Sequence, residues 1–193
     1  MVERVVSRNS TCPRFLLPCI HMRQFGLIGR SLPHSFSKTY FEKKFKELDL
    51  QNYRYDNFEL KKIEDINAII LENKNLRGLN VTIPYKETII PFLDELMPEA
   101  KQIGAVNCID FKNGRSIGHN TDAYGFSQSI KPFLDRNHER ALILGTGGAS
   151  KAVAYVLKKM NIPFYYVSRK NESHLTNIFT YDQLNARIIQ SFK

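Results

Sequence analysis

Cysteine is scarce in this sequence, and long apolar segments are missing. The three cysteines among the 193 residues, Cys12, Cys19 and Cys108, are odd in number and lack the spacing of metal ligands. A disulfide framework and a metal site are therefore not expected, and a reducing cytoplasm is the simpler location. No stretch approaches the roughly 20 apolar residues of a membrane span, so we expect no membrane association. The sequence also has no internal repeat or low-complexity segment.

Acidic side chains are outnumbered by basic ones. The 28 Lys and Arg residues against 19 Asp and Glu give a formal net charge of +9 at pH 7. Nucleic-acid binding requires such charge to cluster on one face or one arm, but here it is scattered, apart from short runs such as Lys43-Lys44 and Lys61-Lys62. An acidic small substrate or a phosphorylated cofactor fits a dispersed basic excess equally well. Charge alone therefore does not identify the partner, and no nucleic acid is expected.

The first 21 residues differ in character from the rest. They are basic, contain two prolines and show no helical or strand periodicity. A signal peptide needs about 7 to 15 apolar residues, whereas FLLPCI is shorter and is interrupted by Pro18. Met22 then opens the strand-like stretch MRQFGLIG. We interpret residues 1–21 as an extension upstream of a natural start at Met22, with a targeting role as the minor alternative.

From Met22 onward, strand patterns alternate with helix patterns, which predicts an α/β fold. The predicted strands are RQFGLIG, NYRYDNFEL and LRGLNVTIP, and the predicted helices include residues 37–48, 61–75 and about 123–134. Between the last two helices, VNCIDFKNGRSIGHNTD predicts a hairpin that turns at Asn113-Gly114, because Asn-Gly is the strongest short-range hairpin signal.

The pattern changes after the polar stretch 135–140. ALILG, residues 141–145, is a continuous apolar run typical of a strand buried on both faces. A glycine-rich turn, a helix and a second strand ending in VSR follow, and together they predict a βαβ unit. We therefore divide the chain into an α/β domain at 22–122, a linker helix at 123–138 and a second α/β unit at 139–193.

The turn GTGGAS, residues 145–150, lies between a strand and a helix, the context in which such turns bind dinucleotides. Gly145 permits the tight turn and Gly147 lets the backbone approach a pyrophosphate. A purely structural glycine-rich turn is the weaker interpretation. An NAD site usually has an acidic residue at the end of the second strand, but here Arg169 and Lys170 follow Ser168. This favours NADP, unless the two cations are merely solvated charges.

Four polar clusters fall at predicted strand ends or loops of the first domain. They are Ser35 and Ser37, Thr82 and Lys86, Asn107, and the run Asn120-Thr121-Asp122. Each alone has an ordinary explanation, since serines cap helices, Asn and Asp satisfy turns, and a lysine after a strand is usually a solvated charge. Lys86 raises the sharper question, because it lies only two residues after Pro84, at the end of an alternating strand.

Taken together, these clusters resemble one family, the shikimate dehydrogenases. The family's S-x-S motif after the first strand matches Ser35 and Ser37, and its N-V-T-hydrophobic-P-aromatic-K signature matches NVTIPYK. GAVN, GHNTDAYGF, ILGTGGAS and the second strand's terminal S-R match four further motifs. The resemblance runs in order from Phe25 to about Lys170.

The resemblance implies a two-domain enzyme that reduces 3-dehydroshikimate to shikimate with NADPH, on the route to chorismate and the aromatic amino acids. Ser35 and Ser37 would hold the substrate carboxylate, and Thr82, Asn107 and Asp122 its ring hydroxyls. Lys86 would contact the reacting oxygen, with Asp122 orienting it. The cofactor would be held by Gly145, Gly147, Gly148, Ala149, Ser168 and Arg169.

Family members continue with further βα units beyond the point where this sequence stops. We therefore expect an N-terminal substrate-binding domain followed by only the first βαβ unit, with two strands, of a Rossmann NADP-binding domain, as in a C-terminally truncated protein. Two alternatives to an active NADP-dependent shikimate dehydrogenase stay open: a shikimate-binding fragment without catalysis, and a quinate/shikimate dehydrogenase that prefers NAD. Monomer and homodimer are both compatible with the sequence.

Overall fold

The computed structural model describes residues 22–135, 138–170 and 175–192. The predicted extension at 1–21 and part of the polar stretch 135–140 lie outside these residues. The strands are β1 Arg23–Gly29, β2 Tyr53–Glu59, β3 Leu76–Val81, β4 Glu95–Leu96, β5 Cys108–Lys112, β6 Arg115–His119, β7 Ala141–Leu144, β8 Phe164–Ser168 and β9 Ile178–Thr180. The helices are α1 Phe36–Glu47, α2 Ile66–Glu72, α3 Tyr85–Thr88, α4 Pro98–Ile103, α5 Asp122–Ile130, α6 Gly148–Lys159 and α7 Ala186–Gln190.

The first six strands form one sheet in the order β2-β1-β3-β5-β6-β4. Only β5 runs antiparallel to its neighbours β3 and β6, while the other pairs are parallel. The predicted hairpin is confirmed: Asn113 and Gly114, with φ of 53° and 75°, both adopt the left-handed conformation that a two-residue turn of this kind requires. The reversal at this turn is what allows β6 to run parallel to β3.

The core of this domain lies on both faces of the sheet. Ile28, Leu79, Val81 and Ile109 are almost fully buried and form one cluster with residues of α2, α3 and α4. On the α1 side, no residue of the helix is fully buried, and its contact with the sheet is aromatic: the Phe41 ring stacks on that of Tyr55 at 4.6 Å. The predicted strands of this domain are therefore confirmed, with β2 at the edge.

The second sheet has three parallel strands in the order β7-β8-β9, which is the start of a Rossmann-like arrangement. The prediction of two strands is wrong, since the sheet has a third strand, β9. This strand was missed because its three residues show too little alternation to be recognised. On one face, Ile143 packs on Ala154 and Leu157 of α6.

The predicted burial of β7 on both faces is also wrong. Leu144 is 66% exposed, and only Ile143 of this strand is buried. Further along the sheet, the rings of Tyr165, Phe179 and Phe192 pack together. Within the described part of the chain, a helix therefore covers β7 on one face only.

Several helix bounds differ from prediction for local reasons. The segment 61–75 forms a short 3-10 turn at Ile63–Asp65 before α2, which ends at Glu72. The segment 123–134 ends its α-helix at Ile130 and continues as a 3-10 turn, because Pro132 has no N–H to donate and its ring disfavours continued α-helix. The short strand β4 was not predicted, since two residues carry no readable period.

The two sheets are joined through helices. Ala123 and Phe126 of α5 pack on Ala152 and Val156 of α6, together with Ile103 at the end of α4. None of the described helices combines the length and the apolar character needed to cross a membrane. The contact between α5 and α6 places the glycine-rich turn beside the first sheet.

A carboxylate at the β4 edge makes the stability of the fold depend on pH. The Asp94 carboxylate accepts the Ser116 N–H and the Ser116 hydroxyl, both at 2.7 Å. These hydrogen bonds lower the pKa of Asp94. The stabilisation is therefore present above the unfolded-state pKa of about 3.9 and is lost as pH falls through the lower pKa of the folded protein.

We expect Ser116→Ala to lower the melting temperature at pH 7, because it removes one of the two donors to the Asp94 carboxylate. The difference from wild type should shrink as pH falls below the unfolded-state pKa of about 3.9 and through the lower pKa of the folded protein, because the carboxylate then becomes protonated. Melting curves recorded from pH 7 to pH 2 check this. Ser129→Ala, which removes an exposed hydroxyl bonded only to the Gly125 carbonyl, is the control. A Ser116→Ala deficit that does not change with pH would contradict the expectation.

Candidate active site

The predicted site residues of the first domain lie at one edge of the six-stranded sheet. Because β1, β3 and β6 are parallel, their carboxyl ends meet there, and β5 begins there. Ser35 and Ser37 follow β1, Thr82 follows β3, Asn107 precedes β5 and Asp122 follows β6. Ligands of open α/β sheets bind outside the carboxyl ends of the strands. The fold thus brings together residues up to 87 positions apart, from Ser35 to Asp122.

Lys86 lies inside this group of residues and is not a solvated surface charge. Its side chain is only 17% exposed, and its Nζ donates to Asp122 Oδ2 at 2.7 Å. The segment after β3 contains a cis Ile83–Pro84 peptide bond and then forms the short helix α3. Buried Tyr85 anchors α3 through its hydroxyl, which donates to the Leu60 carbonyl at 2.6 Å. Lys86 is therefore held on a fixed turn with its amino group directed at Asp122.

Asn107 completes a hydrogen-bonded cluster with these two charges. Its Nδ2 donates to Asp122 Oδ1 at 2.8 Å, and its Oδ1 accepts the Thr121 N–H at 2.7 Å. Both oxygens of the Asp122 carboxylate are thus engaged, one by Lys86 and one by Asn107. An amide, a carboxylate and an ammonium in this arrangement can bind neighbouring hydroxyls and stabilise negative charge on an oxygen.

Asn120 has a structural role in the same motif. It is 5% exposed, its Nδ2 donates to the Ala105 carbonyl at 2.9 Å, and its Oδ1 accepts the Ala123 N–H at 3.2 Å. These bonds fix the start of α5, and hence the direction of Asp122. Within GHNTD the structure therefore separates a residue that builds the turn from one that faces the site.

Ser35, Ser37 and Thr82 line a shared cavity of about 430 Å³ at the same edge of the sheet. Ser35 occupies the N-cap position of α1, but its side chain makes no capping hydrogen bond, so helix capping does not explain this serine. Ser37 lies within the first turn of the helix. The buried Ser35 hydroxyl oxygen has no hydrogen-bond partner among the described residues. A buried polar atom without a partner is uncommon and is expected where a ligand completes its bonding.

The glycine-rich turn lies at the carboxyl end of β7. Gly145 has φ of 108°, which L residues rarely adopt, and its N–H donates to the Val167 carbonyl at 2.8 Å. Gly147 and Ala149 are exposed at the amino end of α6. Gly148 instead faces the first domain: a Cβ on this residue would lie 2.8 Å from the Lys86 Cβ. Its lack of a side chain is thus required by packing.

The end of β8 lies beside this turn, since β7 and β8 are parallel and in register. Ser168 is 9% exposed, and its hydroxyl oxygen accepts the Lys170 N–H at 3.4 Å. Arg169 and Lys170 are exposed. The edge therefore carries two accessible cations next to the amino end of α6. In the described residues, no cluster of three His, Cys, Asp or Glu side chains suited to a metal ion occurs.

Several residues of the site region were not found from sequence. Tyr55 is 2% exposed, and its hydroxyl donates to Asn80 Oδ1 at 2.8 Å, while burial raises its pKa to about 12. Burial also raises the pKa of the Cys108 thiol. Lys151 of α6 pairs with Glu87 of α3, next to Lys86. Of these residues, only Lys151 had a signal in the sequence: it is a lysine in the first turn of a helix, where cations are unfavourable.

The fold and the site define an α/β protein in which a polar cleft at a sheet edge adjoins a Rossmann-like βαβ unit. Residues 27–109 match the model of the shikimate dehydrogenase substrate binding domain. This part of the chain is therefore similar to the substrate-binding domain of that family.

Relatives extend the match beyond that domain. A shikimate dehydrogenase (NADP(+)) of Methanosphaera stadtmanae is 38% identical over 157 residues, which cover 80% of this chain and 55% of the relative. One from Staphylococcus epidermidis is 40% identical over 156 residues, covering 80% of this chain and 58% of the relative. The chain thus spans a little over half the length of these curated relatives.

A solved structure shows the same fold. Shikimate 5-dehydrogenase from Thermus thermophilus, in complex with NADP(H) and shikimate, superposes with a TM-score of 0.68 at 33% identity. The superposition covers 77% of this chain and 57% of the other. The α/β architecture predicted from sequence, a substrate-binding domain followed by a Rossmann-like unit, is confirmed.

We expect Ser35→Ala to leave the free energy of unfolding unchanged or to raise it by up to about 1 kcal/mol, because the hydroxyl is buried without a partner. Urea denaturation measures this. Ser116→Ala is the contrasting control, since the Ser116 hydroxyl has partners and its removal should destabilise. If Ser35→Ala loses stability as Ser116→Ala does, the Ser35 hydroxyl stabilises the fold and is not free to bond a ligand.

Proposed function

We propose that this chain carries the substrate site of an NADP-dependent shikimate dehydrogenase, which reduces 3-dehydroshikimate to shikimate. The observation that carries the proposal is the bonded cluster of Lys86, Asp122 and Asn107, at the sheet edge that also carries Thr82 and a cavity with an unpaired serine hydroxyl. The names of the relatives agree with it. Because the chain spans little more than half of those relatives, turnover by this chain itself is part of what must be tested.

The geometry supports a division of roles within the cleft. The Ser35 and Ser37 hydroxyls would donate to the substrate carboxylate, since both serines line the cavity that Thr82 also lines. Thr82, Asn107 and Asp122 would hold ring hydroxyls. Lys86 would contact the oxygen of the reacting carbonyl. All these residues lie between positions 35 and 122, in the proposed substrate domain 22–122.

The chemistry of ketone reduction explains why a lysine is needed. NADPH would supply a hydride to the carbonyl carbon. Negative charge then develops on the carbonyl oxygen, where the Lys86 ammonium would stabilise it and donate a proton, leaving a neutral amine that regains its proton from water. Asp122, 2.7 Å from Nζ, would hold the ammonium in position throughout.

The second sheet fits a dinucleotide at the end of β7. The left-handed Gly145 and the exposed Gly147 and Ala149 leave the amino end of α6 open to a pyrophosphate. Gly148 would contribute its backbone while packing on Lys86. Arg169, following Ser168, would pair with a 2′-phosphate, which supports NADP over NAD. We propose α5 as the link between the domain at 22–122 and the unit at 139–193.

A second candidate is shikimate binding without turnover. Every proposed substrate contact lies in the first domain. The proposed cofactor unit, by contrast, has only three described strands, and a helix covers β7 on one face only. Binding and turnover must therefore be measured separately.

We expect shikimate to bind the purified chain, and we expect Asp122→Ala to abolish binding because both carboxylate oxygens position other site groups. Ser35→Ala should weaken binding by about 10-fold, the usual effect of losing a hydrogen bond to a charged group. Saturation-transfer NMR with the full chain measures both effects. Asp110→Ala, at an exposed position on β5, is the matched control. Folded wild type that fails to bind shikimate would overturn the proposal.

We expect Lys86→Ala to lower the turnover number by about 10² to 10⁴, the usual contribution of a general acid, with a much smaller change in shikimate affinity. NADPH oxidation in the presence of 3-dehydroshikimate reports the rate. Lys101→Ala, an exposed lysine on α4, controls for the loss of a positive charge. Near-normal turnover in Lys86→Ala would remove Lys86 from the chemistry. Wild type that binds shikimate but does not turn over would establish the second candidate.

A further inference from the structure

We propose that Lys151 is a positioning residue: paired with Glu87, it holds the first turn of α6 against α3 and so fixes Lys86 beneath the glycine-rich turn. For its catalytic meaning the inference rests on the proposed function, but the placement of Lys86 is a property of the ligand-free chain. The proposed function assigns Lys151 no contact with substrate or cofactor.

The ion pair joins the two parts of the chain next to Lys86. Lys151 Nζ lies 2.5 Å from Glu87 Oε2, although the residues are 64 positions apart. Each side chain is a little more than one third exposed, 38% and 37%. Glu87 directly follows Lys86 in α3, a helix of only four residues. A shift of Glu87 would therefore also shift Lys86, because the two residues are neighbours in one short turn.

The position of Lys151 along α6 is locally unfavourable. It is in the first turn of the helix, which contains no acidic residue. A cation at this end of a helix is repelled by the helix dipole. The helix alone thus gives no reason for a lysine here. Glu87 supplies the compensating charge from the other domain, which identifies the pair as a link between α6 and α3.

The Lys151–Glu87 pair lies beside the surface through which α6 packs on Lys86. Gly148, one turn before Lys151, approaches so closely that an added Cβ would lie 2.8 Å from the Lys86 Cβ and 3.3 Å from that of Ala105. The Lys86 carbonyl accepts the Val106 N–H at 2.7 Å, and its Nζ donates to Asp122. Lys86 is thus fixed at its backbone and at its amino group, and the first turn of α6 closes over its aliphatic stem.

A second ion pair on the same helix provides a matched control. Lys159, in the last turn of α6, lies 3.7 Å from Glu99 of α4, and its side chain is 63% exposed. This pair also joins α6 to the first domain, but it lies at the opposite end of the helix from Gly148. Removing it tests the general effect of losing an α6 ion pair without changing the contact on Lys86.

The decisive measurement is the reactivity of the Lys86 amine without any ligand. Trace reductive methylation followed by peptide mass spectrometry gives its labelling rate in wild type, Lys151→Met, Glu87→Gln, Lys151→Arg and Lys159→Met. We expect a rise of at least threefold in Lys151→Met and Glu87→Gln. Lys151→Arg, which can still pair with Glu87, and Lys159→Met should stay near the wild-type rate. An unchanged rate in folded Lys151→Met would overturn the inference.

Turnover and binding give the second readout. Lys151→Met should lower kcat for 3-dehydroshikimate reduction at least 10-fold while KM changes less than twofold, and Lys151→Arg should recover most of the loss. A merely structural effect would change both parameters or neither. If wild type neither binds shikimate nor turns over, the proposed function fails, while the labelling rates still decide whether Lys151 positions Lys86.

Discussion

The parallel direction of β1, β3 and β6 is the constraint on which the rest of this structure depends. Each strand ends at the same edge of the sheet, so the segments that follow them converge. The Asn113-Gly114 turn maintains this arrangement, because it reverses the chain once more and returns β6 to the direction of β3. With another crossover, Asp122 would lie at the far edge, away from Lys86.

At that edge, the two charged groups of the cluster are satisfied, whereas the Ser35 hydroxyl is not. Asp122 is bonded by Lys86 and Asn107, which limits the cost of taking these charges partly out of water. The Ser35 hydroxyl, by contrast, is buried without a described partner. An unpaired charge would destabilise the empty protein severely, whereas an unpaired hydroxyl costs only about 1–3 kcal/mol. Neutral hydroxyl donors therefore destabilise the ligand-free protein less than unpaired cations would, while still being able to bind a carboxylate.

Local signals determined most of what the sequence could predict. Alternation in LNVTI indicated β3, Asn113-Gly114 indicated the hairpin, and the glycines indicated the turn before α6. Convergence of the polar clusters followed from the family resemblance and not from spacing. What escaped prediction was either too short, as with β9, or non-local. Burial of β7 depends on which layers cover the sheet, and the Lys151–Glu87 pair joins residues 64 positions apart.

Gly148 shows why the two parts of the chain cannot be understood separately. In a dinucleotide-binding turn, glycines let the backbone approach a pyrophosphate, and this requirement alone would explain the residue. Here the missing side chain also admits the Lys86 stem, with Ala105 next to it. Even alanine would force the first turn of α6 away from α3, and with it Lys151 from Glu87. The spacing between the cofactor turn and the lysine is therefore set by packing before any ligand binds.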